Sequence, residues 1–296
     1  MAKLYNGVPT LKLNDGNAIP VLGFGIGTAL SKPDKNGKLD PNLVKNIETA
    51  IKVGYRHLDA AESYGNEAEL GAAIQNSKVT REEFFVTTKL EQSLPDVEGA
   101  IDASLKRLGL DYVDLYLIHS PFGFKDKSTM RAAWKGMEAV QRSGKAKSIG
   151  VSNFLQSHLE TILETCEIKP ALNQTEFHMY LQRENLVPWS KEQGIVTSAY
   201  GPQTPITKAK PGPVDELLAQ LTKKYGVDEG EICLRWCIDQ DVPAITTSSK
   251  ETRLTDYLRV TAFELTPKEV EDLKQAGYKK HYRGFWKGKF GEDDRS

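Results

Sequence analysis

Four side chains in this sequence are of types that move a proton and steady a charge: Asp59, Tyr64, Lys89 and His119. Each ends or follows an apolar run of strand character. The runs are His57-Leu58-Asp59-Ala60-Ala61, Phe84-Phe85-Val86-Thr87-Thr88-Lys89 and Val113-Asp114-Leu115-Tyr116-Leu117-Ile118-His119. In a barrel of alternating strands and helices, the chemistry gathers at the C-terminal ends of the strands and the other end serves stability. A tyrosine beside a lysine and a histidine points to protonation of a carbonyl oxygen, so reduction is the leading chemical reading.

The elements that must position these groups alternate along the chain. A hairpin comes first: residues 11–13 and 18–21 flank Asn14-Asp15-Gly16-Asn17, and Asp-Gly is a strong turn signal. Eight strand-like segments follow, at 22–25, 57–61, 84–89, 113–119, 148–152, 172–176, 196–200 and 244–248. Most are short, apolar and unalternating, the pattern of strands buried on both faces of a parallel sheet. Helical periodicity lies between them, as at 42–53, 97–108, 130–142 and 183–193. Eight such units in about 250 residues predict an α/β fold of the (β/α)8 TIM barrel type rather than an open doubly wound sheet. Thr266-Pro267-Lys268-Glu269 combines an N-cap, a proline at the first helical position and a capping-box glutamate, and so opens a late helix. The aromatic and basic stretch 278–296 has no clear period and reads as a loop over the barrel mouth. Without repeat, low-complexity tract or linker, residues 1–296 read as one domain.

Composition narrows the partners. The 39 basic and 40 acidic residues leave a formal charge of -1, with no basic stripe for nucleic acid and no acidic tail. A hydrophobic content of 39% suits a globular core. No apolar stretch approaches the roughly 20 residues of a membrane helix. Met1 to Gly7 lack the apolar centre of a secretory signal, which makes a cytoplasmic location the expectation. Cys166, Cys233 and Cys237 form no disulfide framework. Cys233 and Cys237 share a helical face, but no further ligands accompany them, so no metal is expected and both read as buried packing residues.

The later strand ends are also polar or aromatic. Ser152, Asn153 and Gln174 suit a carboxamide, and Tyr200, followed by Gly201, suits a flat ring. Ser248, Ser249, Lys250 and Arg253 fall where the loops after the last barrel strands often bind phosphate. The glycines of Gly23-Phe24-Gly25-Ile26-Gly27-Thr28 are spaced G-x-G-x-G, not G-x-G-x-x-G, which argues against the open dinucleotide fold. The sequence contains no Tyr-x-x-x-Lys pair and no zinc cluster, so two other dehydrogenase chemistries lack their residues.

In its motifs the chain resembles the aldo-keto reductase family. The carriers are Gly54-Tyr55-Arg56-His57-Leu58-Asp59-Ala60-Ala61-Glu62-Ser63-Tyr64-Gly65-Asn66-Glu67, then Lys89, Leu117-Ile118-His119-Ser120-Pro121, Ile149-Gly150-Val151-Ser152-Asn153-Phe154 and Asn173-Gln174. The likeness runs in order from about Leu11 to Gly277. It implies a barrel that binds an extended nicotinamide cofactor and passes hydride to an aldehyde or ketone. By matching position, Tyr64 would be the general acid, with Lys89 lowering its pKa from about 10 and Asp59 holding the lysine. His119 would orient the carbonyl and, with Tyr64, stabilise the oxygen as it becomes negative. Ser152, Asn153 and Gln174 would hold the nicotinamide amide under Tyr200, while Gly27 and Thr28 would touch the cofactor. Ser248 and Arg253 would take the 2′-phosphate of NADPH, and Asp256 the adenosine. A monomer is the form the resemblance implies.

Several positions depart from the family pattern. Thr247 stands where many members place a phosphate-binding lysine, and Tyr257 where an adenine-contacting asparagine is common. Ser120 replaces the tryptophan that often follows the histidine, and the loop 121–129 is short. Those last two changes are expected to open the pocket and weaken any aromatic clamp. The pattern is similar to the fungal branch that reduces conjugated polyketones and α-keto amides, which implies a compact vicinal dicarbonyl such as a ketopantoyl lactone.

Taken singly, these residues have ordinary explanations. Asp59 could cap a loop, Lys89 could be solvated and His119 could be a satisfied core histidine; their order at successive strand ends outweighs this. Tyr200 alone is also explained by rim packing. His57, His158, His178 and His281 read as structural or exposed, and Trp134, Trp189 and Trp236 as packing residues. Phe285 and Trp286 are balanced between packing and substrate contact. The rival from another class is a non-catalytic nicotinamide-binding protein, regulatory or structural, on the same barrel; turnover separates the two. A barrel hydrolase would need paired carboxylates or metal ligands that the strand ends lack.

Overall fold

The structure, a computed structural model, describes residues 6–32 and 37–296; most of the N-terminal stretch read above for a secretory signal lies outside these. The hairpin forms as β1 (Thr10–Lys12) and β2 (Ala18–Pro20), paired antiparallel. The eight strands that follow are β3 (Leu22–Gly25), β4 (His57–Asp59), β5 (Phe85–Leu90), β6 (Val113–Ile118), β7 (Ala146–Ser152), β8 (Leu172–Glu176), β9 (Val196–Tyr200) and β10 (Ala244–Thr246). They are parallel and hydrogen-bonded in chain order, and β10 returns to pair with β3, so the sheet closes into a barrel. Helices lie between successive strands: α1 (Pro41–Val53), α2 (Glu67–Asn76), α3 (Val97–Leu108), α4 (Lys127–Arg142), α5 (Gln156–Leu163) and α6 (Leu186–Glu192). Then come α7 (Thr204–Thr207), α8 (Asp215–Tyr225) and α9 (Glu229–Ile238) before β10, and α10 (Glu251–Leu258) and α11 (Pro267–Tyr278) after it.

Local chemistry sets the helix ends. Pro41 occupies the first turn of α1 while Asp40 Oδ1 accepts from the Asn42 and Leu43 amides, and Gly54, at φ 129°, ends it. Thr266 and Glu269 form the capping box expected for α11. The helix expected over 183–193 is shorter, because Arg183 and Glu184 take φ of 60° and 38° and turn the chain before Leu186. Residues 60–61 leave β4: the Ala60 amide still bonds Thr87 O, but Ala61 already opens the 3₁₀ turn Glu62–Tyr64.

The two barrel ends differ in kind. At the N-terminal end Leu13 and Ile19 of the hairpin cluster with Phe85, Leu115, Leu117 and Leu172. The hairpin therefore plugs that end with apolar surface, and the buried Asp114 nearby is answered by Arg81 and Lys147 at 2.7 and 3.0 Å. Cys233 and Cys237 are buried on α9 as packing residues, and Trp134 and Trp236 are likewise core. At the C-terminal end the chain beyond α11 comes back across the mouth, where the Gly284 and Phe285 amides donate to the Glu176 carboxylate at 2.7 and 3.1 Å. Glu176 ends β8, so the tail is tied to the barrel itself.

Candidate active site

Asp59 ends β4, the turn after it carries Tyr64, Lys89 lies in β5, and His119 follows β6. Three adjacent strands thus deliver the four groups to one corner of the mouth. Lys89 is fully buried; its Nζ donates to Asp59 Oδ1 at 2.5 Å and to Ala60 O at 2.8 Å. The lysine ammonium lies 5.2 Å from the centre of the Tyr64 ring. His119 meets that ring edge-on at 5.5 Å between centres. His119 Nδ1 stands 3.1 Å from Ser63 Oγ and 3.2 Å from a Glu91 carboxylate oxygen. Gly27 has no side chain where one would collide with the Tyr64 ring, so the first strand's loop closes directly on the phenol.

The electrostatics correct one expectation. Burial first, then the charges of Asp59 and Glu91, push the Tyr64 pKa well above the ordinary phenol value. The anticipated lowering by Lys89 is outweighed, because Lys89 is ion-paired with Asp59 and is itself lowered by burial. The phenol is therefore a group that holds its proton at neutral pH.

A cavity of about 450 Å³ opens over these groups. Asp59, Tyr64 and His119 line it together with Gly27, Thr28, Ser152, Gln174, Tyr200 and Gly201, all of which the sequence reading had selected. Lys89 lies beneath the cavity rather than in its wall. Asn153 is a strut: its Nδ2 donates to His119 O at 2.9 Å and to Ser152 Oγ at 3.0 Å, and its Oδ1 accepts from Tyr200 OH at 2.6 Å. Gln174 Nε2 donates to Asp59 Oδ2 at 2.8 Å, which adds a partner to the acid–lysine pair.

The structure also changes the expected shape of the mouth. Ser120 and the short loop after β6 are expected to open it and weaken any aromatic clamp. Trp286 of the tail instead stands edge-on to His119 at 6.5 Å, backed by Phe122 at 5.1 Å, while Phe285 meets Tyr200 at 5.1 Å. Phe285 and Trp286 of the tail both line the cavity.

For an extended dinucleotide the wall continues past Tyr200 through Gln203, Thr204, Thr207 and Lys208, then Thr246 and Thr247. Gly201, at φ 63°, turns the chain against Phe285 and starts this path. Thr247 Oγ1 is buried without a hydrogen-bond partner among the described residues, which suits a polar group arriving from the cavity. Ser248 Oγ accepts from the Lys250 amide at the start of α10. Ser249 and Arg253 are exposed there, and Asp256 lies 3.5 Å from Arg259. These four residues lie outside the central cavity, at the far end of that path. Tyr257 is buried in the main core. The residues present therefore fit a nicotinamide dinucleotide.

Sequence reasoning missed Ser63, Glu91, Gln203, Thr204, Thr207 and Lys208. Glu91 lies two residues past Lys89 and so belongs to the same strand end. The loop 203–208 carries no motif, and only the course of the chain after β9 brings it to the cavity.

Known proteins resemble this chain in sequence and fold. The family model described as "Aldo/keto reductase family" matches residues 22–277. The NAD/NADP-dependent indole-3-acetaldehyde reductase of Schizosaccharomyces pombe is 38% identical over 92% of this chain and 96% of its own. The NADPH-dependent alpha-keto amide reductase of Saccharomyces cerevisiae is 37% identical over 95% of each. Among solved structures, the Bombyx mori aldo-keto reductase in complex with NADP aligns at TM-score 0.80 and 36% identity, over 90% of this chain and 92% of that one.

Proposed function

The chain belongs to the aldo/keto reductase family, and on that premise we propose that it is an NADPH-dependent reductase of ketones or aldehydes. The observation that carries the reading is the convergence of Asp59, Tyr64 and His119 on one cavity wall, with Lys89 paired to Asp59 beneath it. When bound, the nicotinamide supplies hydride to the carbonyl carbon. Tyr64 gives its proton to the carbonyl oxygen as that oxygen becomes negative, and its raised pKa keeps the proton in place until then. His119 faces the same oxygen and fixes its direction. The phenolate left behind faces the Lys89 ammonium, which Asp59 and, through Asp59, Gln174 hold still. Trp286 and Phe285 wall this corner on its outer side.

Ser152 and Gln174 line the wall where the carboxamide would lie, with Tyr200 across the ring. Ser248, Ser249 and Arg253 support NADPH over NADH, with Asp256 toward the adenosine. The favoured substrate is a compact vicinal dicarbonyl or conjugated polyketone such as a ketopantoyl lactone; the likeness to an α-keto amide reductase supports that class. The reading takes the protein as monomeric and cytoplasmic.

The test is loss of NADPH absorbance, and separately of NADH absorbance, against α-dicarbonyls, keto esters, keto amides and simple aldehydes. Turnover with NADPH on a dicarbonyl is the expected result. Tight NADPH binding with no turnover on any carbonyl would overturn it and leave a non-catalytic cofactor-binding protein.

A further inference from the structure

We propose that the tail covers a latent oxyanion site: Arg183 and Arg283, with His281 beside them, take a tetrahedral oxyanion, phosphate or a phosphate monoester, when residues 290–296 lift.

Arg183, in the turn before α6, is fully buried, yet its Nε has no hydrogen-bond partner among the described residues. Arg283, in the tail, is buried with its Nε in the same condition, and so are both ring nitrogens of His281. The two guanidiniums lie under one cover. Phe290 presents its ring to both, with its centre 3.8 Å from Arg283 Cζ and 5.9 Å from Arg183 Cζ. Burial first, then the like charge of Arg283, lowers Arg183 to about 10, which leaves it a cation at neutral pH.

The acidic groups around this pair are engaged elsewhere. Glu176 spends its carboxylate on His178 and on the Gly284 and Phe285 amides. Asp294 Oδ1 accepts from the Ser296 amide and hydroxyl and stays 3.8 Å from Arg283 Nη2. That nitrogen donates instead to main-chain oxygens, Asp294 O at 3.0 Å and Ser296 O at 2.7 Å. Tail oxygens thus stand in for an anion at one nitrogen, while the Nε donors stay unpaired. A donor taken from water and given no acceptor weakens the closed state. Lifting 290–296 restores hydration and offers two guanidinium forks to one oxyanion, a geometry that suits charge-assisted pairing. A ligand that binds only the open form shifts the tail toward it.

The cover is coupled to the reaction corner through rings. Phe290 meets Phe122 at 5.7 Å, Phe122 meets Trp286 at 5.1 Å, and Trp286 stands 6.5 Å from His119. Oxyanion binding therefore loosens the aromatic wall and raises KM for the carbonyl. Only this effect on KM rests on the reductase reading; the site itself does not.

Hydrogen exchange in the wild-type protein without cofactor tests the site, with sodium phosphate set against sodium chloride at equal ionic strength and neutral pH. Phosphate is expected to speed exchange of the Asp294 and Ser296 amides at least about threefold and to leave the hairpin β1–β2 unchanged. Glycerol 3-phosphate is run beside it, and whichever of the two acts at the lower concentration identifies the form the site takes. In R183Q the phosphate effect should vanish. In D294N, which loses the tail's own carboxylate, the phosphate midpoint should fall at least about threefold. With NADPH saturating, KM for a neutral diketone should rise in phosphate and not in chloride. Equal exchange in the two salts, a phosphate effect undiminished in R183Q, or a higher midpoint in D294N would overturn the site. Absence of turnover in either salt would count against the reductase reading alone, since exchange needs no reaction.

Discussion

Gln174 and Asp59 meet across the full width of the barrel: their strands, β8 and β4, stand on opposite sides of the closed ring, yet Gln174 Nε2 donates to Asp59 Oδ2 at 2.8 Å. Asp59 spends its other oxygen on Lys89. A residue selected for the nicotinamide amide is therefore also coupled to the charge pair behind the phenol, and changes at one are expected to be felt at the other.

Replacing Gln174 by Ala removes a donor to a buried carboxylate. The loss of stability should be about 1.5–3 kcal/mol by urea unfolding, with NADPH binding weakened and kcat lowered together. Weaker cofactor binding with unchanged kcat would show that the Asp59 contact does not matter to turnover.

Tyr64→Phe should keep NADPH binding, followed by fluorescence titration, and lose roughly 10²–10⁴-fold in the rate of carbonyl reduction. Because burial and two carboxylates hold the phenol above its ordinary pKa of about 10, the wild-type rate should show no fall from this group below about pH 10. Normal turnover in the variant would remove Tyr64 as the acid.

Glu176 anchors the tail that brings Phe285 and Trp286 to the cavity. Burial alone would raise its carboxyl, but His178 and the Gly284 and Phe285 amides leave it below the usual value. In Glu176→Gln the amides of Gly284 and Phe285 should exchange hydrogen faster, and KM for the carbonyl should rise roughly tenfold with a smaller change in kcat. Unchanged exchange at those amides would mean that the aromatic contacts hold the tail unaided.

Arg253→Ala should weaken NADPH by at least about tenfold while changing NADH little, since only NADPH carries the 2′-phosphate. Equal weakening of both cofactors would refute the assignment of Arg253 to that phosphate.

His57 is buried in β4 beside Thr87 Oγ1 at 3.2 Å, and burial, over the opposing pull of Asp59, lowers it from 6.5 to about 4. Between those values the unfolded chain takes a proton that the folded chain refuses. The stability it contributes is thus complete above pH 6.5 and lost as pH falls through 4. From pH 7.5 to 4.5 this amounts to roughly 2–3 kcal/mol, and His57→Gln should lose that much less than the wild type over the same span in urea titrations. Parallel losses in the two proteins would assign the acid sensitivity elsewhere.

What the sequence determined by itself is the order of parts and the residues at the strand ends. Apolar runs without alternation, Asp40 and Thr266 as caps, and Asp-Gly in the hairpin act over a few residues, so the barrel and the positions of Asp59, Tyr64, Lys89 and His119 are legible without coordinates. Strand limits slipped by a residue or two where a turn takes the last carbonyl, as at Ala61, whose oxygen accepts from the Tyr64 amide. The tertiary structure alone decided how distant segments meet. Gln174 and Asp59 are 115 residues apart, and Glu176 and Gly284 are 108 apart. Closure of the ring and return of the tail bring each pair to hydrogen-bond distance. The same packing holds Tyr64 half-buried between Gly27 and His119, where its pKa is raised rather than lowered, and brings Trp286 to the edge of His119. Burial and long-range charge depend on every segment around a group, and no local pattern carries that information.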